Sequence, residues 1–242
     1  MTRFQTTRWS IVLQAREGTS EARAALEQLC RTYRTPVIAY VRRRGNCSAH
    51  DAEDLGQAFL TSFIEHATHS RADPARGSFR AFLLTALKHF LDDAGDRAGA
   101  RKRGGHVQFE SLDTADGAEG EGIEIASERD TPEQAFERAW AEAALRAAMR
   151  RLQAEAAAAG RAPLFERLSE FLIERPSDAD YRRLAVELDM RSNTVAVSVH
   201  RLRRRLRELL HGELADTAAD ANGLQGEFDQ LHRSLAAVVP AD

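Results

Sequence analysis

The chain has 242 residues and a formal net charge of -3, from 34 Lys and Arg against 37 Asp and Glu. Apolar residues make up 43%, enough for one or two cores, and no run approaches the 18 apolar residues of a membrane span. The opening MTRFQTTRWSIVLQAREG lacks the apolar core of a signal peptide, and Cys30 and Cys47 alone build neither a disulfide framework nor a metal cluster, so the expected compartment is the cytoplasm.

The elements read as helical almost throughout. Leu26, Leu29, Tyr33, Val37 and Tyr40 recur at spacings of three and four, which predicts a helix over about 19–44, kinked or broken at Pro36 and stopped at Gly45-Asn46. A second helix is expected over about 50–69, started by Ser48 or His50. Leu55, Phe59, Phe63 and Ile64 fall on its inner side, and Asp51, Glu53 and Asp54 on its first turn. After a turn at Asp73–Gly77 comes a third helix with Phe79, Phe82, Leu83, Leu87, Phe90 and Leu91, which runs out into Asp96-Arg97-Ala98-Gly99-Ala100-Arg101-Lys102-Arg103.

Residues 104–132 are acidic and rich in glycine, with no sustained period, and read as a flexible linker in which Leu112, Ile123 and Ile125 have room to dock locally. The second block opens at Thr131-Pro132. One helix carries Phe136, Trp140, Leu145, Met149 and Leu152 to Gly160, and a shorter one is expected at about 162–174, closed by Pro176.

Charge follows the same division. Residues 1–103 are net +6, 104–132 net -7, 133–212 net +3 and 213–242 net -5, so two basic blocks alternate with two acidic stretches. A mildly acidic whole therefore does not exclude nucleic acid as a partner, because the location of the positive charge decides.

The passage at 178–210, DADYRRLAVELDMRSNTVAVSVHRLRRRLRELL, is the most informative. Tyr181, Leu184, Ala185 and Leu188 give a short helix an apolar face. Asp189-Met190-Arg191 forms a tight connection, and Ser192 suits an N-cap. In the next helix Val195, Val199, Leu202, Leu206 and Leu209 are spaced four, three, four and three. These are the ingredients of a helix-turn-helix. Its second helix would enter the major groove by its amino end. Asn193 and Thr194 would reach base edges, and Arg201, Arg203, Arg204, Arg205 and Arg207 would offer dense positive charge to phosphates; Arg191, Ser192, Val197 and His200 complete the expected duplex-binding set. In the first block, Phe79, Phe82, Lys88, His89, Arg97, Arg101, Lys102 and Arg103 interleave aromatic and basic side chains, a pattern suited to stacking unpaired bases along a backbone, although the helical spacing of the phenylalanines fits a core as well.

With these motifs in this order, the chain resembles a bacterial RNA polymerase sigma factor of the extracytoplasmic-function type, in the sigma-70 superfamily. The likeness rests on DAEDLGQAFLTSF at 51–63, GSFRAFLLTALKHFL at 77–91, YRRLAVELDM at 181–190 and NTVAVSVHRLRRRLREL at 193–209. It covers nearly all of residues 3–238. The amino-terminal TTRWSIVL and the carboxy-terminal stretch resemble a subgroup with such extensions. Ala58, Ala196 and Ser198 depart from the residues many members carry there, and 133–175 is longer than usual.

The resemblance implies an all-α fold of two helical domains joined by an acidic linker. Residues 1–103 would bind the polymerase core and the melted -10 element, and 133–212 would read the -35 element. Asp51, Glu53, Asp54 and Gln57 would contact a coiled-coil helix of the largest polymerase subunit. The implied partners are core RNA polymerase and promoter DNA, with an inhibitory anti-sigma protein or a regulatory kinase as possible controllers. No cofactor, metal or small-molecule substrate is implied. CxxC, HExxH, GxGxxG and GxSxG are all absent, so no enzymatic activity is expected. Two other classes remain open: a stand-alone helix-turn-helix regulator whose first block dimerises or binds a ligand, and a helical adaptor without DNA contact.

The acidic extension at 213–242 carries Phe228, Leu231, Leu235 and Val238 at helical spacing. Charge complementarity predicts that it packs on the basic second domain.

Overall fold

A computed structural model describes residues 20–66, 68, 72–73, 78–103, 130–173, 176–215, 226, 229–231 and 233–234. Residues 104–129 of the linker expected over 104–132, the segment before residue 20 and most of the carboxy-terminal extension lie outside these residues, while 130–132 lead into and open α4. The fold is all-α: the described residues contain no strand. The elements are α1 (Ser20–Gly45), α2 (Ala49–Glu65), α3 (Phe79–Arg103), α4 (Pro132–Ala158), α5 (Ala162–Leu168) with a 3-10 turn (Ser169–Leu172), α6 (Asp178–Glu187) and α7 (Ser192–Ala215). No helix among the described residues is long and apolar enough to cross a membrane. The chain packs as two compact units, Met1–Trp140 with Thr217–Asp242, and Ala141–Asp216.

In the first unit α1 runs through Pro36 without a break, and Asn46 ends it in the left-handed region at φ 43°. Proline removes one backbone donor there, but Pro36 to Val41 are all buried, and core packing outweighs the lost bond. Ser48 caps α2, its hydroxyl accepting from the Asp51 amide at 3.1 Å.

The buried face of α2 is Ala52, Gly56, Phe59, Leu60 and Phe63, whereas Leu55 and Ile64 are exposed, contrary to the sequence expectation. The cause lies at the crossing with α1. A Cβ on Gly56 would sit 3.1 Å from Ile38 Cγ1 and 3.4 Å from Val37 Cγ1, so the helices approach too closely for a larger residue. Ala52 and Gly56 take the crossing, Phe59, Leu60 and Phe63 fill the core, and Leu55 and Ile64 turn outward. Phe79 closes the core edge-on against Tyr33, with ring centroids 5.4 Å apart.

The first turns of α4 also belong to this unit. Thr131 and Gln134 cap the helix reciprocally, at 3.2 and 2.8 Å, with Pro132 at its first position. Of the extension expected over 213–242, residues 213–215 complete α7 in the second unit, where Glu213 pairs with Arg151 at 2.8 Å, whereas 226, 229–231 and 233–234 lie with the first unit, with Leu231 and Ser234 buried, rather than on the second domain as charge suggested. Burial of an apolar side chain outweighs a solvent-screened attraction.

In the second unit α4 ends at Gly160 (φ 68°). Amide bonds from Gly160 to Ala157 and from Arg161 to Ala156 complete a Schellman turn. The helix expected over 162–174 is α-helical only to Leu168, and the tighter 3-10 turn that follows buries Phe171 and Leu172. Leu168, Phe171, Leu184, Val195 and Val199 form the core, against which Leu164, Tyr181, Ala185, Leu188, Met190 and Leu202 pack.

Candidate nucleic-acid interface

The α6–α7 pair is fixed by local chemistry at three points. Ser177 accepts from the Asp180 amide at 3.2 Å and the Asp180 carboxylate accepts from the Ser177 amide at 2.9 Å, a reciprocal capping box. These bonds from Ser177 hold the Asp180 carboxyl below its ordinary value. At the other end of α6, Asp189 takes φ 49°. The Met190 amide bonds Ala185 O at 2.9 Å and the Asp189 amide bonds Val186 O at 3.3 Å, a Schellman turn with Asp in the place glycine usually fills. Met190 and Ala185 both reach the core, the apolar contact that accompanies such a turn.

The first bond of α7 then runs from the Val195 amide to Arg191 O at 3.1 Å. Arg191 therefore stands at the cap position, and Ser192, expected there, lies one residue inside the helix.

This geometry buries Val195, Val199, Leu206 and Leu209 and leaves Arg191, Ser192, Asn193, Thr194, Val197, His200, Arg201 and Arg204 exposed. Asn193, Val197, His200 and Arg204 follow at spacings of four, three and four, so they share one outward stripe. Its amino end carries the positive pole of the helix dipole, which favours an anion.

The arginines divide into two groups. Arg205 donates two bonds to Glu155, at 2.7 and 2.8 Å, and one to Glu208 at 2.9 Å. These partners hold its pKa above the ordinary arginine value. The same bonds depress Glu155 and Glu208. Arg204 pairs with Glu208 at 3.1 Å, and Arg203 Nε donates to Phe171 O at 2.9 Å. Arg204 and Arg205 are thus not free phosphate ligands as expected from the sequence. They answer carboxylates one helix turn or one helix away. Arg191, Arg201 and Arg207 are exposed and have no acidic partner among the described residues.

On α2, Asp51, Glu53, Asp54 and Gln57 are all exposed, beside Leu55 and Ile64 at 36% and 39% exposure. Asp51 also accepts from the Ser48 hydroxyl at 2.7 Å, Glu53 pairs with Arg34, and His50 lies 3.7 Å from Asp54.

The expected single-strand residues are not brought together as a stacking surface. Phe79 is 1% exposed and has no face to offer a base. Phe82 is half-buried against Phe63 and Phe79, with centroids 6.2 Å apart in each case. These rings meet the apolar demand of the core. Lys88 pairs with Glu133 at 2.8 Å, a bond that raises the lysine pKa and lowers that of the glutamate, and His89 is exposed. Arg97, Arg101, Lys102 and Arg103 lie in α3, with their side chains outside the described set.

Sequence reasoning missed the Ser177–Asp180 box, although its S-x-x-D spacing was a local signal. It also missed the pairing of Arg80 with Glu137, for which no local signal exists across 57 positions. Among the described residues no group of three or more His, Cys, Asp or Glu is placed to hold a metal ion. Compared with known proteins, the chain matches no family model, no curated protein and no solved structure.

Proposed function

We propose that the chain is a transcription-initiation factor of the sigma type: it binds core RNA polymerase through α2 and reads promoter duplex with α7 of a helix-turn-helix. The observation that carries the reading is the α6–α7 pair. A ten-residue helix and a longer one meet at a four-residue connection, 188–191, closed by its own hydrogen bonds, and the exposed first turn of the second presents Asn193 and Thr194 beside Arg191, which has no acidic partner among the described residues. Asn offers adenine two bonds, Thr accepts or donates to either partner of a pair, and Arg191, Arg201 and Arg207 supply phosphate contacts. Support for the polymerase contact comes from the exposed acidic turn of α2 flanked by Leu55 and Ile64, which combines charge for a basic helix with apolar surface.

The test is run-off transcription with core polymerase on fragments of the source genome. Asp54→Asn and Leu55→Ala are the informative variants. Asp51 supports the α2 cap, and its loss would confound folding with binding. Specific product that both variants abolish, with helical content retained, supports the reading. Duplex binding to a symmetric site without polymerase, and no transcript, would replace it with a stand-alone regulator.

A further inference from the structure

One segment sets two carboxylates, Glu133 and Glu137, on basic side chains of α3 and a backbone carbonyl, that of Asp130, on Arg43 of α1. Arg43 Nε donates to the Asp130 carbonyl, and the Asp130 carboxylate takes Arg138 at 2.9 Å. Lys88 pairs with Glu133 at 2.8 Å. Arg80 pairs with Glu137 and lies over the Trp140 ring, 4.6 Å from its centroid. Arg44, which pairs with Asp92, also donates to the Lys88 carbonyl at 3.4 Å, so the end of α1 adjoins Lys88. Glu133, Glu137 and Trp140 are spaced four and three along α4 and form one stripe. Ala39, Ala135 and Ala139 close the contact with small side chains.

We propose that the start of α4, residues 130–140, occupies the basic face of α1 and α3 in place of nucleic-acid phosphates, so that single-stranded DNA engages Arg43, Arg80 and Lys88 only after this segment leaves. The inference rests on the reading of α3 as the single-strand element of an initiation factor. A guanidinium fork or an ammonium answers a carboxylate or a phosphate with the same donors, and it does not serve both at once.

The composition of the contact also argues for displacement over plain packing. The Arg80 and Glu137 side chains are 11% and 16% exposed. Ion pairs so far out of water return little more than their desolvation cost, and apolar residues would hold the segment as well. Carboxylates there give up their partners to another anion, which apolar residues do not. A ligand shifts such an equilibrium only by its difference in affinity for the two states, so the docked segment lowers the apparent affinity for single strands by the fraction undocked.

The full chain with Trp9→Phe leaves Trp140, 2% exposed, as the one tryptophan. Its acrylamide quenching is measured with and without a single-stranded oligothymidylate, alongside the binding isotherm. The affinity of Glu133→Gln/Glu137→Gln is compared with that of Glu27→Gln/Glu65→Gln, which removes equal charge away from the contact. The expected result is Trp140 becoming quenchable as DNA binds, and an affinity gain of roughly fivefold or more over the control pair. Binding that leaves Trp140 shielded, with both pairs alike, overturns the masking and leaves the initiation reading standing. No binding by the parent chain or by the folded Glu133→Gln/Glu137→Gln variant overturns the single-strand role of α3, and the masking with it. If that variant loses its helical signal, the Trp140 response of the parent chain decides.

Discussion

The division of the α7 arginines can be tested at two positions one turn apart. Arg205→Ala removes two bonds to Glu155 and one to Glu208. Arg205 and Glu155 are 44% and 43% exposed, and isolated pairs at such exposure contribute about 0.2–1 kcal/mol. The two-pronged geometry and the second carboxylate place the loss near the top of that range, at roughly 1 kcal/mol after screening. For a unit the size of Ala141–Asp216 this lowers Tm by about 4–8 °C. Arg201→Ala removes an exposed side chain with no acidic partner among the described residues, so stability stays within about 0.5 kcal/mol of the parent.

Duplex binding should respond in the opposite order. If Arg201 neutralises a phosphate, the slope of log K against log salt becomes shallower by about 0.9 in Arg201→Ala, whereas Arg205→Ala leaves it unchanged. Thermal melts followed by circular dichroism, and anisotropy of a labelled duplex across a salt series, read the two quantities. A full unit of slope lost in Arg205→Ala with Tm intact would show that its carboxylate partners release it to DNA, and the structural role argued for it would fall.

Two glycines should answer oppositely to alanine. Gly56→Ala forces a Cβ against Ile38 and Val37, and overpacking at about 1–3 kcal/mol exceeds the gain of about 1 kcal/mol in helix propensity. Gly95→Ala meets nothing within 4 Å, and should stabilise by about 0.5–1 kcal/mol; denaturant midpoints that move the same way in both would refute the close crossing. Acid should also unfold the chain in a defined window. Glu133, Glu155, Glu208 and Asp180 are held below their ordinary values in the fold. Their contribution is therefore present above the ordinary carboxylate range and is lost as pH falls through the lowered values. Urea midpoints should hold level from about pH 8 to 5 and drop below about 4.5; a drop beginning above pH 6 would point to histidine instead.

Periodicity made some elements legible and left others hidden. The stripe Val195, Val199, Leu202, Leu206, Leu209 is read correctly because a single face of one helix meets one core, and spacing alone identifies such a face. The inner face of α2 is half legible: Phe59 and Phe63 are buried as expected, but Leu55 and Ile64 are exposed, because the crossing at Gly56 is set by how closely α1 approaches, which no local pattern encodes. For Phe79 and Phe82 the sequence leaves a core reading beside the base-stacking one, since ring residues beside basic ones fit both a core and a nucleic-acid surface. Tyr33 and Phe63, distant in sequence, decide for the core. At Arg205 the deciding partner, Glu155, is fifty positions away on another helix.

The number of basic side chains in the sequence therefore overstates the cations available to DNA. In the first block Arg34, Arg44, Arg80 and Lys88 each face a carboxylate, and in the second block Arg151, Arg183, Arg204 and Arg205 do so as well. A cation already paired within the protein releases no counterion from DNA unless it first gives up its partner, so it adds little to non-specific affinity. On the proposed reading, α7 would retain a short reading face at its amino end with Arg191, Arg201 and Arg207, which have no acidic partner among the described residues. Such a face discriminates between sequences more than it holds on to them, because base contacts specify while phosphate contacts supply most of the affinity. An initiation factor tolerates this, since the polymerase grips the DNA and the factor has only to choose where. A stand-alone regulator has to supply both, and the internal pairing of its arginines would then work against it.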